Sequence, residues 1–224
     1  QALKDAVKWG LILHNPAAAV TPPRPERKEA AAWDSVAIKQ FMDAAGGSRY
    51  RDAFRLAVLT GIRRSELAGL KWPDIDLKSA RLRVVRTRQR VAGHGIVEGQ
   101  PKTHRSRRSV ALSPSAVSVL ASMKTRQIEM RLKAGPAWKQ TDYVFTTDNG
   151  VPIDPDNLSH EFHRIVDEAE LPNGTLHGLR HSFATALLSA NVHPAVVQSA
   201  LGHSSITLTI DTYSHVMPGL EEAA

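Results

Sequence analysis

One stretch of this chain alternates, and it limits the fold more than any other feature. From Arg81 to Val91 the sequence reads RLRVVRTRQRV, with Leu82 and Val84 on one face and Arg81 and Arg83 on the other. The phase shifts at Val84-Val85, after which Arg86, Arg88 and Arg90 share a face. A period of two with a phase shift predicts a strand carrying a bulge. Gly93, Gly95 and Gly99 mark turns, and SRRSVAL (106–112) predicts a second short strand. The rest of the chain places its apolar residues at helical spacing. The expected fold class is therefore α+β: mainly α-helical, with one small antiparallel sheet.

That sheet also carries the charge. The chain has 224 residues and a formal net charge of +7. Between Arg81 and Arg108 stand nine basic residues and a single acid, Glu98, while the remainder holds 20 basic against 21 acidic residues. The whole positive excess thus sits in one window. Arg86, Arg88 and Arg90, spaced by about 6.6 Å along a strand face, form a candidate rail for phosphates, with Arg105, Arg107 and Arg108 beside it. The pattern points to a polyanionic partner, with a nucleic-acid-facing surface as the expected reading. A solvated charged hairpin is the alternative.

Composition excludes several classes. The chain has no cysteine, so disulfides, thiolate metal sites and a cysteine nucleophile are ruled out. No run approaches the ~18 apolar residues of a membrane helix. No clustered acids or histidines form a defensible metal site, and none is expected.

Helical spacing in residues 1–14 ends at Asn15-Pro16, since proline disfavours helix in the residue before it. A proline-rich, charged segment follows, AVTPPRPERKE. The expected division is a helix over 1–14 left from a preceding domain, a linker over 15–32, and one domain over 33–224. Further helices are predicted over 33–45, 50–60, 64–70, from Pro114 to about Lys133, from Asp154 or Asp156 to Ala169, from His177 to near Asn191, from Pro194 to Gly202, and over 205–216.

Four segments could carry chemistry. In TGIRRSELAGL (60–70), Gly61 precedes a helix start, which puts Arg63 at its N-terminus with Glu66 one turn on. An arginine held by its glutamate can aim a planar, permanently charged fork at a phosphate. In PKTHRSRRSV (101–110), Lys102 stands at a turn between strands. In TLHGLRHSFAT (175–185), His177 and Arg180 share a helix face near free backbone N–H groups. In LGHSSITLTIDTYSH (201–215), Gly202-His203 closes one helix, and Tyr213 stands among Thr212, Ser214 and His215. Each alone fits an ordinary surface or packing role.

Their order does not. TGIRRSEL, HGLRHSFAT, LGHSS and DTYSH, in that sequence, resemble the signature segments of the tyrosine recombinases, the phage integrase family, over about residues 33–216. The resemblance implies strand cleavage through a covalent 3′-phosphotyrosine, without metal, ATP or other cofactor. It implies Tyr213 as nucleophile and Arg63 and Arg180 as the clamp on the phosphate. It implies His203 as a further hydrogen bond to that phosphate, His177 as assistant to proton transfer from the tyrosine, and Lys102 as acid for the departing oxygen. Glu66 would orient Arg63 or a neighbour. Arg64 and His181 are read as support or packing. The leading helix resembles the end of the family's core-binding domain. The full-length protein is expected to act as a homotetramer on a double-stranded DNA recombination site, in the cytoplasm of a bacterial or phage-infected host cell. The domain alone is expected to be monomeric and to bind DNA weakly. Two other readings remain: a type IB topoisomerase-like enzyme that relaxes supercoils, and a non-catalytic DNA-binding module.

Overall fold

The structure is a computed structural model that describes residues 2–20, 32–101, 106–203 and 205–213. Helix α1 (Ala2–Lys8) buries no residue and is shorter than the spacing predicts. It stops because Gly10 takes φ +73°, a left-handed angle that ends a helix at little cost for glycine alone. Asn15 then caps a single 3₁₀ turn, Pro16–Ala19, its side chain accepting from the Ala17 N–H.

Asp34 opens α2 (Ser35–Ala44) by accepting a hydrogen bond from the Ala37 N–H at 2.8 Å. Helix α3 (Arg51–Thr60) ends at Gly61, which is left-handed at φ +62°. Helix α4 (Arg64–Ala68) restarts three residues later. These helices, with α5 (Pro114–Ala134) and α6 (Pro155–Glu168), enclose the main core. Its centre is aromatic. Phe41, Phe54 and Phe162 are fully buried, Phe41 and Phe162 have ring centroids 4.7 Å apart, and Trp33 stacks on Phe162 at 5.4 Å. Burying each ring contributes about 2–3 kcal/mol. Ser113 caps α5, and of the two candidate starts of α6 it is Asp154 that caps it.

The strand region departs from expectation. There is no single bulged strand over 81–91. Strand β2 (Arg81–Val84) lies between β1 (Ile75–Asp76) and β5 (Arg108–Ala111) in a three-stranded antiparallel sheet, with Leu82 opposite Val110. Strand β3 (Thr87–Val91) instead pairs with β4 (Gly95–Gly99) in a separate hairpin. The phase shift at Val84-Val85 is therefore the point where the chain leaves one sheet for the other. Leu82, Val84 and Val110 are buried, which fixes the register of the first sheet.

The last described helices form a smaller second cluster. Helix α7 (Gly178–Ser189), α8 (Pro194–Leu201) and α9 (Ile206–Tyr213) bring together Ala184, Leu188, Val197, Leu201 and Tyr213. The site lies where this cluster meets α3, α4 and β5.

Candidate active site

Two helix C-termini and one carboxylate assemble the site. The last carbonyls of a helix lack partners within it. Here arginines supply them. Arg180, on α7, donates to the carbonyl of Gly61 at 2.8 Å and to that of Leu201 at 2.5 Å. Arg108, on β5, donates through Nε to the carbonyl of Ala200 at 2.6 Å. The ends of α3 and α8 thus hold two guanidiniums side by side, and the negative end of each helix dipole favours them.

Glu66 joins the third arginine. It is 3% exposed and receives four hydrogen bonds. Arg63 donates its backbone N–H at 2.9 Å and Nη1 at 2.8 Å, and Arg108 donates Nη1 at 3.0 Å and Nη2 at 2.9 Å. Burial alone would raise the Glu66 pKa, but the bonds from Arg108 and Arg63 outweigh it and hold the carboxyl below its usual range. Glu66 therefore orients Arg63 and a neighbour, Arg108.

The positive charge exceeds what Glu66 can balance. Arg180 is 2% exposed. Burial first, then the charges of Arg63 and Arg108, push its pKa down to about 9. Three guanidiniums facing one carboxylate leave a local excess suited to an anion. The Arg63 side chain is 33% exposed, so one edge of the group is open to a ligand. An open cleft of ≈ 320 Å³ begins there, lined by Arg63, Arg64, Gln89, His163, Thr175 and His177 among others.

His177 occupies the N-cap position of α7, and Thr175 accepts from the Gly178 N–H at 3.0 Å just before it. Partial burial, and then the charges of His181, Arg180 and Arg63, lower the His177 pKa, although the residue keeps an exposed side. His203 directs Nδ1 at the Thr209 hydroxyl, 2.8 Å away. Burial, followed by Arg180 and Arg63, pushes its pKa down to about 4. Both imidazoles are neutral near pH 7.

Tyr213 is buried, at 2% exposure. Burial pushes its pKa up to about 12, and Arg180 pulls weakly the other way. Its hydroxyl lies 2.7 Å from Nδ1 of His181. The resemblance implies that His177 assists proton transfer from Tyr213, and His181 is expected to be support or packing. In this arrangement the hydroxyl's partner is His181. The available signal was the four-residue spacing of His177 and His181 on one helix face.

The described arginines of the basic window bond groups within the fold. Arg108 is withdrawn from the surface, with its side chain 5% exposed and bound to Glu66. Arg86, Arg88 and Arg90 do not form a free rail. Arg86 precedes β3 and pairs with Asp74 and Glu98. Arg88 donates to the carbonyl of Ile153, and Arg90 pairs with Asp154 and Asp156. These bonds fasten the hairpin to α6 and to the segment before β1. Arg107 is exposed and bonds Gln100. Lys102 and Arg105 lie outside the described residues. Arg64 bonds Asp156 and Ser159, tying α4 to α6.

A mainly helical domain with a small antiparallel sheet gathers Arg63, Arg180, His177, His203 and Tyr213, which the sequence spreads over 151 residues. That fold and that order of residues define a domain of the integrase type. The chain belongs to the phage integrase family, which its residues 34–219 match. It is 36% identical over 230 residues to a XerC-like tyrosine recombinase of Caldanaerobacter subterraneus, covering 95% of this chain and 59% of that protein. It is 27% identical to an integrase of Saccharopolyspora erythraea, over 96% of this chain and 61% of that one. The chain thus spans about three-fifths of the length of these relatives. Among solved structures, the Tn1549 transposon integrase in complex with a circular-intermediate DNA superposes with TM-score 0.77 at 23% identity, over 99% of this chain and 74% of that chain. The XerH recombinase bound to its palindromic difH substrate superposes with TM-score 0.61 at 26% identity, over 88% of this chain and 53% of that one.

Proposed function

We propose that this chain is the catalytic domain of a site-specific tyrosine recombinase that cuts and rejoins DNA. One observation carries the reading: Arg63, Arg108 and Arg180 crowd round a single carboxylate beside a buried tyrosine. Such a group calls for a phosphate. The demand of phosphoryl transfer is charge stabilisation at the transition state. Arg63 and Arg180 supply it to the non-bridging oxygens, and His177 and His203 add hydrogen bonds. Arg108 serves from below, locking Glu66 and hence Arg63.

In the reaction, the Tyr213 oxygen attacks a phosphodiester and passes its phenolic proton to a neighbouring neutral imidazole. The bond from phosphorus to the 5′-oxygen breaks, with Lys102 as proton donor to that oxygen. The 3′-phosphotyrosine retains the energy of the broken bond, so a second 5′-hydroxyl can reverse the step on another strand without ATP or metal. Since Tyr213 is 2% exposed here, α9 must shift to present it. The full-length protein acts as four copies on paired DNA sites in the bacterial cytoplasm, and the domain alone is monomeric.

The test is a library of nicked duplexes with randomised cores. The protein is incubated with it and products are separated under denaturing conditions. A protein–DNA adduct enriched in particular sequences, absent with Tyr213→Phe, is the expected result. Relaxation of supercoiled plasmid with no sequence preference would favour a type IB topoisomerase-like enzyme instead. DNA retention without any adduct would leave only a binding module.

A further inference from the structure

His181 has a more direct connection to the nucleophile than any of the residues assigned above. Its Nδ1 meets the Tyr213 hydroxyl at 2.7 Å, and the two rings lie 5.7 Å apart at 49°. On its other side, the His181 ring meets that of His177 edge-on, with centroids 5.0 Å apart at 81°. His203, by contrast, has its Nδ1 on Thr209. His181 thus stands between His177 and the tyrosine, on the helical turn that also carries Arg180.

The direction of the hydrogen bond follows from the protonation states. Burial keeps the Tyr213 phenol protonated, with a pKa of about 12, so it is the donor. Burial first, and Arg180 second, lower the His181 pKa, so the ring is neutral near pH 7. Nδ1 is then the acceptor, and the proton of the ring sits on Nε2. A neutral imidazole with its lone pair on a protonated phenol meets the geometric condition for a general base, a contact of about 2.6–3.2 Å.

We propose that His181 is a further catalytic residue, which holds the Tyr213 hydroxyl before cleavage and accepts its proton as the tyrosine oxygen attacks phosphorus. This rests on the recombinase reading above. The O–H bond of Tyr213 breaks and its proton passes to Nδ1. The tyrosine oxygen bonds to phosphorus, the bond to the 5′-oxygen breaks, and that oxygen takes a proton from Lys102. In rejoining, the 5′-hydroxyl returns its proton to the lysine and Nδ1 returns its own to the departing tyrosine. Among the described residues, the charged and titratable groups around His181 are His177 and Arg180 on α7, His203 after α8 and Tyr213 on α9. Arg180 opposes a second positive charge there, and the bound phosphate offsets it.

The experiment uses the duplex captured from the library and follows the rate of adduct formation. His181→Asn keeps an oxygen near the place of Nδ1 but is no base, and His181→Ala opens a space. Both variants are expected to react about 100-fold or more slowly, in the range of a lost general base. Added imidazole is expected to restore His181→Ala by about tenfold and to leave His181→Asn and Tyr213→Phe unchanged. Nitrogen-15 NMR of the DNA-free protein is expected to find the Nε2–H tautomer at His181. If wild type forms the adduct and His181→Asn reacts within about threefold of it, or His181→Ala reacts faster, the proposal is overturned and His181 is packing or a latch. If wild type itself forms no adduct, the recombinase reading falls first and this one with it.

Discussion

Replacing Glu66 by alanine would test the charge network at its centre. Glu66 is 3% exposed and takes two bonds each from Arg63 and Arg108. The Arg63 side chain is 33% exposed, so water would take over most of what it loses. The Arg108 side chain is 5% exposed and would be left charged with no carboxylate. Removing one partner of a buried pair costs about 3–5 kcal/mol. For a chain of this size each kcal/mol lowers Tm by about 2–4 °C, so the variant should melt about 6–20 °C below wild type. Scanning calorimetry at pH 7 reads this directly. Glu66→Gln, which keeps one acceptor oxygen, should fall between the two. Adding Arg108→Ala to Glu66→Ala should cost less than the sum of the single changes, because it removes the stranded charge. A loss below about 2 °C, or additive single variants, would refute the view that this pair is buried and coupled.

Other consequences follow from named contacts. In Gly61→Ala the new Cβ would lie 2.4 Å from Phe183 Cδ1 at a backbone angle of φ +62°. Such overpacking costs about 1–3 kcal/mol in urea denaturation, and adduct formation should fall with it, because the Gly61 carbonyl holds Arg180. His177, His181 and His203 all have pKa values lowered by burial, His203 to about 4. The unfolded chain therefore binds protons before the folded one, so this contribution is complete above about pH 6.5 and is lost as pH falls towards 4. Glu66, with its pKa also lowered, ionises in the folded state first, and its stabilisation persists until pH drops through the carboxylate range. Denaturation midpoints at pH 7, 5.5 and 4.5 should fall progressively, and a flat profile over that range would contradict the partly buried, neutral histidines. Arg90→Ala should leave the denaturation midpoint nearly unchanged, since its side chain is 49% exposed beside Asp154 and Asp156. A marked fall would mean the hairpin clasp matters more than its exposure suggests.

What was readable in the sequence was local. Asp34, Ser113, Asp154 and Pro194 mark helix starts because capping acts within three residues, and the described helices begin there. The early end of α1 at Gly10 was also local, but the stronger breaker Asn15-Pro16 drew the boundary past it. The split of 81–91 into two sheets was hidden because alternation describes a strand and not its partner. Arg108 looked like its basic neighbours, since only the fold brings Glu66, 42 residues away, onto it. The spacing of Arg63 and Glu66 correctly predicted their contact because it is a single helical turn. The contact of His181 is not local in this way, its partner Tyr213 lying 32 residues on.

The most direct test of the account is to locate the DNA. The trapped adduct is trimmed with nuclease and protease, and the modified peptide is sequenced by mass spectrometry. The account predicts a nucleotide joined through its 3′-phosphate to Tyr213. Attachment to another residue, linkage through a 5′-phosphate, or no adduct from any duplex in the library would contradict it.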